Sequence, residues 1–388
     1  MTEDINQDEK QTDADRKQEA KAEKKRIQKE KRAEKQASLR RFAVRIICFT
    51  VLTGSIILYG LYVLTPKNEY GICPMINLYS QPKDSVDVLV IGSSLAYAGC
   101  NTNVLWRAYG IASYNLCGAE EPFWSTYYEL KEGLRYQRPK LILLDAKAAS
   151  YTVDYSKRGR VIQATYGILH PDYRIGGICA AVESSQDALG FVLGYPQVHY
   201  NYSDLTPEHF AFPPTNEGRG SSWKGFIEID LTEQHSEYDI ALTTQKKKMK
   251  PRAEEYVRKI FDLVQEENIP LVVVAFPNPD YGHDHPYYMS LFEIADEYGI
   301  QCLNYNNMYG TIGLDFSKDF ADWQHLNVGG GIKMSLKLGY DLAHDFSIPD
   351  HRGDPAYDSY EECAEIWFAK MYDFKTSPAK GAYSMYGL

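Results

Sequence analysis

Val86-Asp87-Val88-Leu89-Val90-Ile91-Gly92-Ser93-Ser94 is the stretch that decides how this chain is read. Val86–Ile91 is an apolar, β-branched run that stops abruptly at a glycine and two serines, as a strand buried on both faces does where it meets a turn. Downstream the pattern alternates. Ser113–Leu116 reads as a short second strand, and Phe123–Tyr136 as a helix leading through Pro139 into the strand Leu141–Leu144. Arg252–Glu266 is amphipathic, with Val257, Ile260, Phe261 and Val264 on one face, and precedes the strand Leu271–Phe276. Tyr288, Leu291, Ala295 and Tyr298 mark a further helix before the strand Gln301–Asn304, and Ile332, Leu336, Tyr340 and Ala343 mark the last. Strands separated by helices of this length imply a parallel sheet covered on both faces, a three-layer α/β/α domain of flavodoxin-like type.

Working back toward the N-terminus, Phe42–Leu64 reads FAVRIICFTVLTGSIILYGLYVL, with one charge, Arg45, near its start. The uncharged part, Ile46–Leu64, would rise roughly 28 Å as a helix, enough to cross a bilayer. A cleaved signal peptide would have a shorter apolar region and a small-residue cleavage site, whereas this run ends in Leu61-Tyr62-Val63-Leu64-Thr65-Pro66. Residues 5–41 are rich in Lys, Glu, Gln and Ala and cannot build a core, so they form a solvated tail. Lys24, Lys25, Arg26, Lys29, Lys31, Arg32, Lys35, Arg40 and Arg41 crowd just ahead of the span, which predicts a cytoplasmic N-terminus and an extracytoplasmic C-terminal domain. The expected organisation is a tail 1–41, a transmembrane helix 42–64, a linker 65–85, a catalytic domain 86–348 and a C-terminal extension 349–388. Within the catalytic domain, Tyr-, Gly- and Pro-containing segments at about 146–250 break the alternation and read as an insertion.

Composition narrows the function. The net charge is −10, and because the tail carries a small positive excess, the remainder is more acidic still, with no electrostatic footprint for nucleic acid. The seven cysteines, Cys48, Cys73, Cys100, Cys117, Cys179, Cys302 and Cys363, show neither a CxxC pair nor Cys/His ligand spacing. They read as small buried residues, with disulfides the alternative in an exported domain. Asp280 and His283-Asp284-His285 have metal-ligand chemistry but read as a polar loop after Phe276-Pro277-Asn278-Pro279, so no metal is expected.

Ser94 follows a strand in a parallel sheet, where the carboxyl ends of strands form sites. Far along the chain, Asp322-Trp323-Gln324-His325-Leu326-Asn327 precedes the last helix. Asp322 and His325, three positions apart, can hang from one loop with the carboxylate on imidazole Nδ1–H and Nε2 facing the serine. Each half alone is a weak signal, since Gly-Ser-Ser is a common turn and Asp-x-x-His recurs by chance.

Their order and topology resemble the SGNH (GDSL) hydrolase superfamily across roughly Val86 to Phe346. Gly92-Ser93-Ser94 stands where that family has Gly-Asp-Ser, which makes Ser94 rather than Ser93 the nucleophile. Asp322 and His325 match the fifth block. Tyr114-Asn115-Leu116-Cys117-Gly118 resembles the second block, whose glycine gives a backbone N–H to the oxyanion, so the resemblance implies an oxyanion hole from the N–H groups of Ser94 and Gly118. The third block departs: Leu144-Asp145-Ala146-Lys147 replaces Gly-x-Asn-Asp, and the usual Asn donor is missing. This variant pattern, with one N-terminal span and a His325-Leu-Asn-x-x-Gly330 ending, is similar to the DltD-like and alginate-acetylation branch, whose members work with membrane-bound O-acyltransferases on cell-envelope polymers.

The resemblance implies a membrane-anchored serine O-acyltransferase moving an acyl group, acetyl first, to a cell-envelope or exported polysaccharide, with no metal or organic cofactor. Its acyl donor would come by way of a membrane-bound O-acyltransferase. A carbohydrate O-acetylesterase would use the same residues, and a non-catalytic anchored scaffold is the reading the missing third block favours. The aromatics between Tyr195 and Phe212, Tyr200 and Tyr202 above all, are candidate sugar-stacking rings; the competing reading is that they are the core of the insertion.

Overall fold

The computed structural model of the protein describes residues 2–65, 72–211, 223–237 and 245–373. Pro66 in the linker, Phe212 in the aromatic cluster and the end of the C-terminal extension lie outside the described residues.

The N-terminal unit is one helix, α1 (Thr2–Leu64), so tail and span are continuous where the sequence suggested two segments. Phe42, Ile46, Ile47, Phe49, Val51, Leu52, Ile56, Ile57 and Leu58 are all exposed on it. These positions circle the helix and leave no polar face, as lipid-facing residues do. The C-terminal part of α1 is thus long and apolar enough to cross a membrane.

The second unit is α/β. Five parallel strands, β1 (Val88–Gly92), β2 (Ser113–Cys117), β3 (Leu141–Asp145), β4 (Leu271–Ala275) and β5 (Gln301–Asn304), lie in the order β2-β1-β3-β4-β5. All but the edge strand β5 are buried along their whole length, which explains the apolar runs of β1, β3 and β4. Alternate side chains enter opposite layers. Leu89, Ile91, Ile142, Leu144 and Val273 pack with α2 (Ile72–Leu78), α5 (Phe123–Gly133), α10 (Pro251–Glu266) and α11 (Tyr281–Glu297). Val88, Val90, Leu143, Val272 and Val274 pack with α3 (Ser94–Gly99), α12 (Tyr309–Ile312) and α13 (Val328–His344). Burying each such side chain contributes roughly 1.5–3 kcal/mol.

Two regions differ from the sequence reading. Between β1 and β2 the chain forms α3 and α4 (Thr102–Tyr109), short helices whose Gly99–Cys100–Asn101 junction hides any long periodicity. The insertion is largely helical, with α6 (Arg158–Thr165), α7 (Pro171–Ala181), α8 (Ser185–Leu193) and α9 (Tyr195–Val198). Its later part returns to the sheet, where the Lys224 carbonyl accepts the N–H of Asn115 at 2.9 Å. In the C-terminal extension, α14 (Asp358–Asp373) buries Tyr360, Ala364 and Trp367 against Val104, Trp106, Phe226 and Ile332. Among the described residues Cys48, Cys100, Cys117, Cys179, Cys302 and Cys363 are free thiols.

The strand order reverses direction at β1, between β2 and β3. In an open parallel sheet the crevice at such a switch point, outside the carboxyl ends of the strands, is where sites form.

Candidate active site

Ser93 follows β1 and caps α3, and Ser94 is the first helical residue. The placement is fixed by Asp145 at the end of β3. Its Oδ2 accepts the Ser93 N–H at 3.2 Å and the Ser93 hydroxyl, while its Oδ1 accepts the Lys147 N–H at 3.1 Å. Gly92 permits that approach: its φ is +128°, and a Cβ there would lie 2.7 Å from Asp145 Cβ. Burial pushes the Asp145 carboxyl up to about 6, against the opposing pull of the Ser93 hydroxyl and the Lys147 and Ser93 N–H groups.

Asp322 and His325 sit on a loop closed by the Phe320–Leu326 bridge and by the Ala321 N–H donating to the His325 carbonyl at 2.9 Å. Asn327 anchors its far end, capping α13 through Gly330 N–H at 3.1 Å and donating to the Lys318 carbonyl at 2.6 Å. On this loop Asp322 Oδ1 accepts the N–H groups of Gln324 at 2.7 Å and His325 at 2.9 Å. His325 Nδ1 lies 2.8 Å from Asp322 Oδ2, and Nε2 lies 2.8 Å from Ser94 Oγ. Burial raises the Asp322 carboxyl, but the hydrogen bonds from His325 and Gln324 and the His325 charge outweigh it and hold it at about 2. The structure therefore joins Ser94, His325 and Asp322 in one hydrogen-bonded line, across 231 positions of sequence.

The oxyanion donors inferred from sequence divide. Ser94 N–H, at the first position of α3, has no acceptor among the described residues. Gly118 N–H donates to the Gly92 carbonyl at 3.0 Å, extending the β1–β2 ladder, so it is already spent. Gly118 is tight for another reason: a Cβ there would lie 2.4 Å from Glu121 Oε2.

A cavity of about 370 Å³ opens beside Ser94. Tyr151, Tyr155 and Trp323 are its aromatic residues, Lys147, Lys157 and Arg160 its cations, and Glu120, Asp280 and Asp284 its carboxylates. Tyr200 and Tyr202 are not part of its wall. They lie on a 3-10 segment, His199–Asp204, with Tyr202 71% exposed and Tyr200 under the Arg158 guanidinium at 4.5 Å. They also fail as insertion core, because among the described residues from Tyr195 to Ala211 Val198 alone is buried. Trp323 had a signal in the sequence, standing between Asp322 and His325; Tyr151 and Tyr155 had none.

The polar run after Pro279 is helical, not loop. Asp280 caps α11, which contains Asp284 and His285, and Pro286 inside that helix masks its first turn in the sequence. Ligand atoms of Asp280, His283 and Asp284 fall within 4.8 Å of one another. Lys147 Nζ donates to Asp284 Oδ2 at 2.6 Å, with the two side chains 6% and 0% exposed.

No family model and no curated protein matches this chain. Among solved structures it is similar to a gut microbial diltiazem-metabolizing enzyme, at 12% identity and a TM-score of 0.25, over 67% of this chain and 46% of that one. The chain thus spans less than half the length of that protein, and a likeness at this level carries neither fold nor activity.

Proposed function

We propose that the protein is a membrane-anchored serine acyltransferase of SGNH type, its catalytic domain outside the cytoplasmic membrane, passing an O-acyl group, acetyl first, to a cell-envelope or exported polysaccharide. One observation carries the chemistry: the Ser94–His325–Asp322 line, with both hydrogen bonds at 2.8 Å. Ser94 Oγ attacks the acyl carbonyl while His325 Nε2 takes its proton, and the same nitrogen returns a proton to the leaving oxygen. Asp322 holds Nδ1 protonated, so that Nε2 presents its lone pair to Ser94, and stabilises the imidazolium that forms. A second pass, with a sugar hydroxyl in place of the leaving group, delivers the acyl group. Water competes in that step unless the acceptor is held beside the ester, and the 370 Å³ cavity gives it a place. The acyl donor would be supplied by a membrane-bound O-acyltransferase, and the basic cluster ahead of the span supports a cytoplasmic N-terminus.

The full-length protein in detergent should react with a fluorophosphonate, the adduct mapping to Ser94 and disappearing in Ser94→Ala. With an acetyl ester it should hydrolyse slowly, and an oligosaccharide acceptor should divert acetyl onto sugar. Fast deacetylation of acetylated polysaccharide with no capture by any acceptor would make it an esterase. Protease protection of the C-terminal domain in intact cells would place it inside and remove the envelope substrate.

A further inference from the structure

An acyl transfer through Ser94 needs more than the one free N–H of Ser94 to receive the negative charge that develops on the carbonyl oxygen. Gly118 N–H is committed to Gly92, and the chain has no Asn at the end of β3. What stands two residues beyond the end of that strand is Lys147. Its backbone N–H and that of Ser93 are held by the two oxygens of the same carboxylate, Asp145, so the backbones of nucleophile and lysine are tied together at adjacent strand ends. The Lys147 side chain is 6% exposed, yet lines the cavity that Ser94 also lines. Its Nζ makes one hydrogen bond among the described residues, to Asp284 Oδ2 at 2.6 Å. An ammonium has three N–H donors, so two are left without an acceptor among the described residues, beside the cavity. A buried charge with unspent donors is costly to keep as a structural element alone.

Resting on the acyl-transfer reading above, we infer that Lys147 is a catalytic residue: its ammonium donates a hydrogen bond to the oxyanion, taking the role that Gly118 N–H cannot fill here. As Ser94 Oγ bonds to the carbonyl carbon, its proton passes to His325 Nε2 and the carbonyl π pair moves onto oxygen, where Lys147 Nζ–H and Ser94 N–H meet it. Collapse returns that pair to the carbon–oxygen double bond and expels the alcohol, which takes the proton from His325. Lys147 keeps all its protons throughout. Asp284 is the positioning residue that directs the ammonium.

The test uses the full-length protein and 4-nitrophenyl acetate, a neutral ester with no charge for Lys147 to bind in the ground state. Because Lys147→Met alone would strand the buried Asp284 carboxylate, the decisive variant is Lys147→Met with Asp284→Asn, set beside Asp284→Asn alone. The double variant should lose about 100-fold in kcat, the usual effect of deleting one oxyanion donor, with KM changed little and thermal melting retained. Asp284→Asn, which keeps the ammonium, should retain at least ten times more activity than the double variant. Equal losses in the two would mean that the pair only shapes the cavity, and a double variant within threefold of wild type would likewise overturn the inference. A double variant that raises KM for this ester and leaves kcat unchanged would also overturn the inference, making Lys147 a ground-state binding group instead. A wild-type chain that neither hydrolyses the ester nor takes fluorophosphonate at Ser94 sinks the acyl-transfer reading itself, and the lysine's role falls with it.

Discussion

Asp145 accepts both the N–H and the hydroxyl of Ser93, so the residue before the nucleophile is held by the neighbouring strand, not by its own loop. This gives Asp145 a physical role: an acid at the end of β3 fixes the turn that displays Ser94, and through its other oxygen it fixes Lys147.

Asp145→Asn should therefore weaken both activity and stability. An amide has one acceptor oxygen where the carboxylate uses two, so at least one of the buried Ser93 and Lys147 N–H groups loses its partner, at a cost of about 1–3 kcal/mol. It should also change the pH dependence. In the folded chain Asp145 titrates near 6, above its ordinary 3.8, so between those values the unfolded chain gives up this proton first. Its contribution to stability thus falls as pH rises through that window and levels off above it. Denaturation midpoints measured from pH 4 to 7 should show this fall in wild type and a flatter curve in the Asn variant.

Gly92→Ala should be more disruptive than an ordinary strand substitution. The new methyl would meet Asp145 Cβ at 2.7 Å from a backbone φ of +128°, so overpacking and strain add to something on the order of 3 kcal/mol. Chemical denaturation would register the loss, and fluorophosphonate labelling of Ser94 should slow even where the fold persists, because the strain falls on the turn that displays it.

Acceptor recognition is expected from the cavity wall rather than from the Tyr195–Phe210 segment. Tyr155→Ala and Trp323→Ala should lower acetyl transfer to an oligosaccharide more than ester hydrolysis, since Trp323 is 56% exposed beside the triad and both rings line the cavity. Tyr200→Ala and Tyr202→Ala should leave that ratio unchanged. A drop in the ratio for the latter pair would return the acceptor site to the insertion.

How much of this was legible in sequence follows from what each element needs. The buried strands Val88–Gly92, Leu141–Asp145 and Leu271–Ala275 write their burial as unbroken apolar runs, and the amphipathic α10 writes its period. Asp322 and His325 were visible because one loop carries both. The Lys147–Asp284 pair was not, because its members come from different elements, 137 positions apart, and neither has a local signature. Gly118 was assigned to the oxyanion by position in a motif, but the destination of a backbone N–H depends on the ladder it joins. Tyr200 and Tyr202 stood out by composition, which reports aromatic density and not which wall a ring faces.

Asp322→Asn offers the sharpest test of the triad, because the loop dictates how the amide must sit. Asp322 Oδ1 receives two backbone N–H groups, from Gln324 and His325, and only an oxygen can accept them. In the variant the amide oxygen is drawn to that position, and the NH2 group faces His325 Nδ1 in place of Oδ2. A donor at the nearer 2.8 Å position favours Nδ1 as acceptor over its longer 3.0 Å contact with Oδ1, which moves the ring proton to Nε2 and leaves nothing to receive the proton of Ser94. The expected loss in kcat is on the order of 10⁴-fold with the fold retained, as for a triad locked in the wrong tautomer. Acidity offers no escape in the wild type either. Asp322 is held at about 2, below its ordinary 3.8, so its contribution to loop stability is present above 3.8 and is lost only as pH falls toward 2. The acid limb of the wild-type rate profile must then belong to a group other than this carboxylate. An Asn variant that keeps a tenth or more of wild-type kcat would show that His325 does not depend on Asp322 for its tautomer, and would remove the acid from the triad.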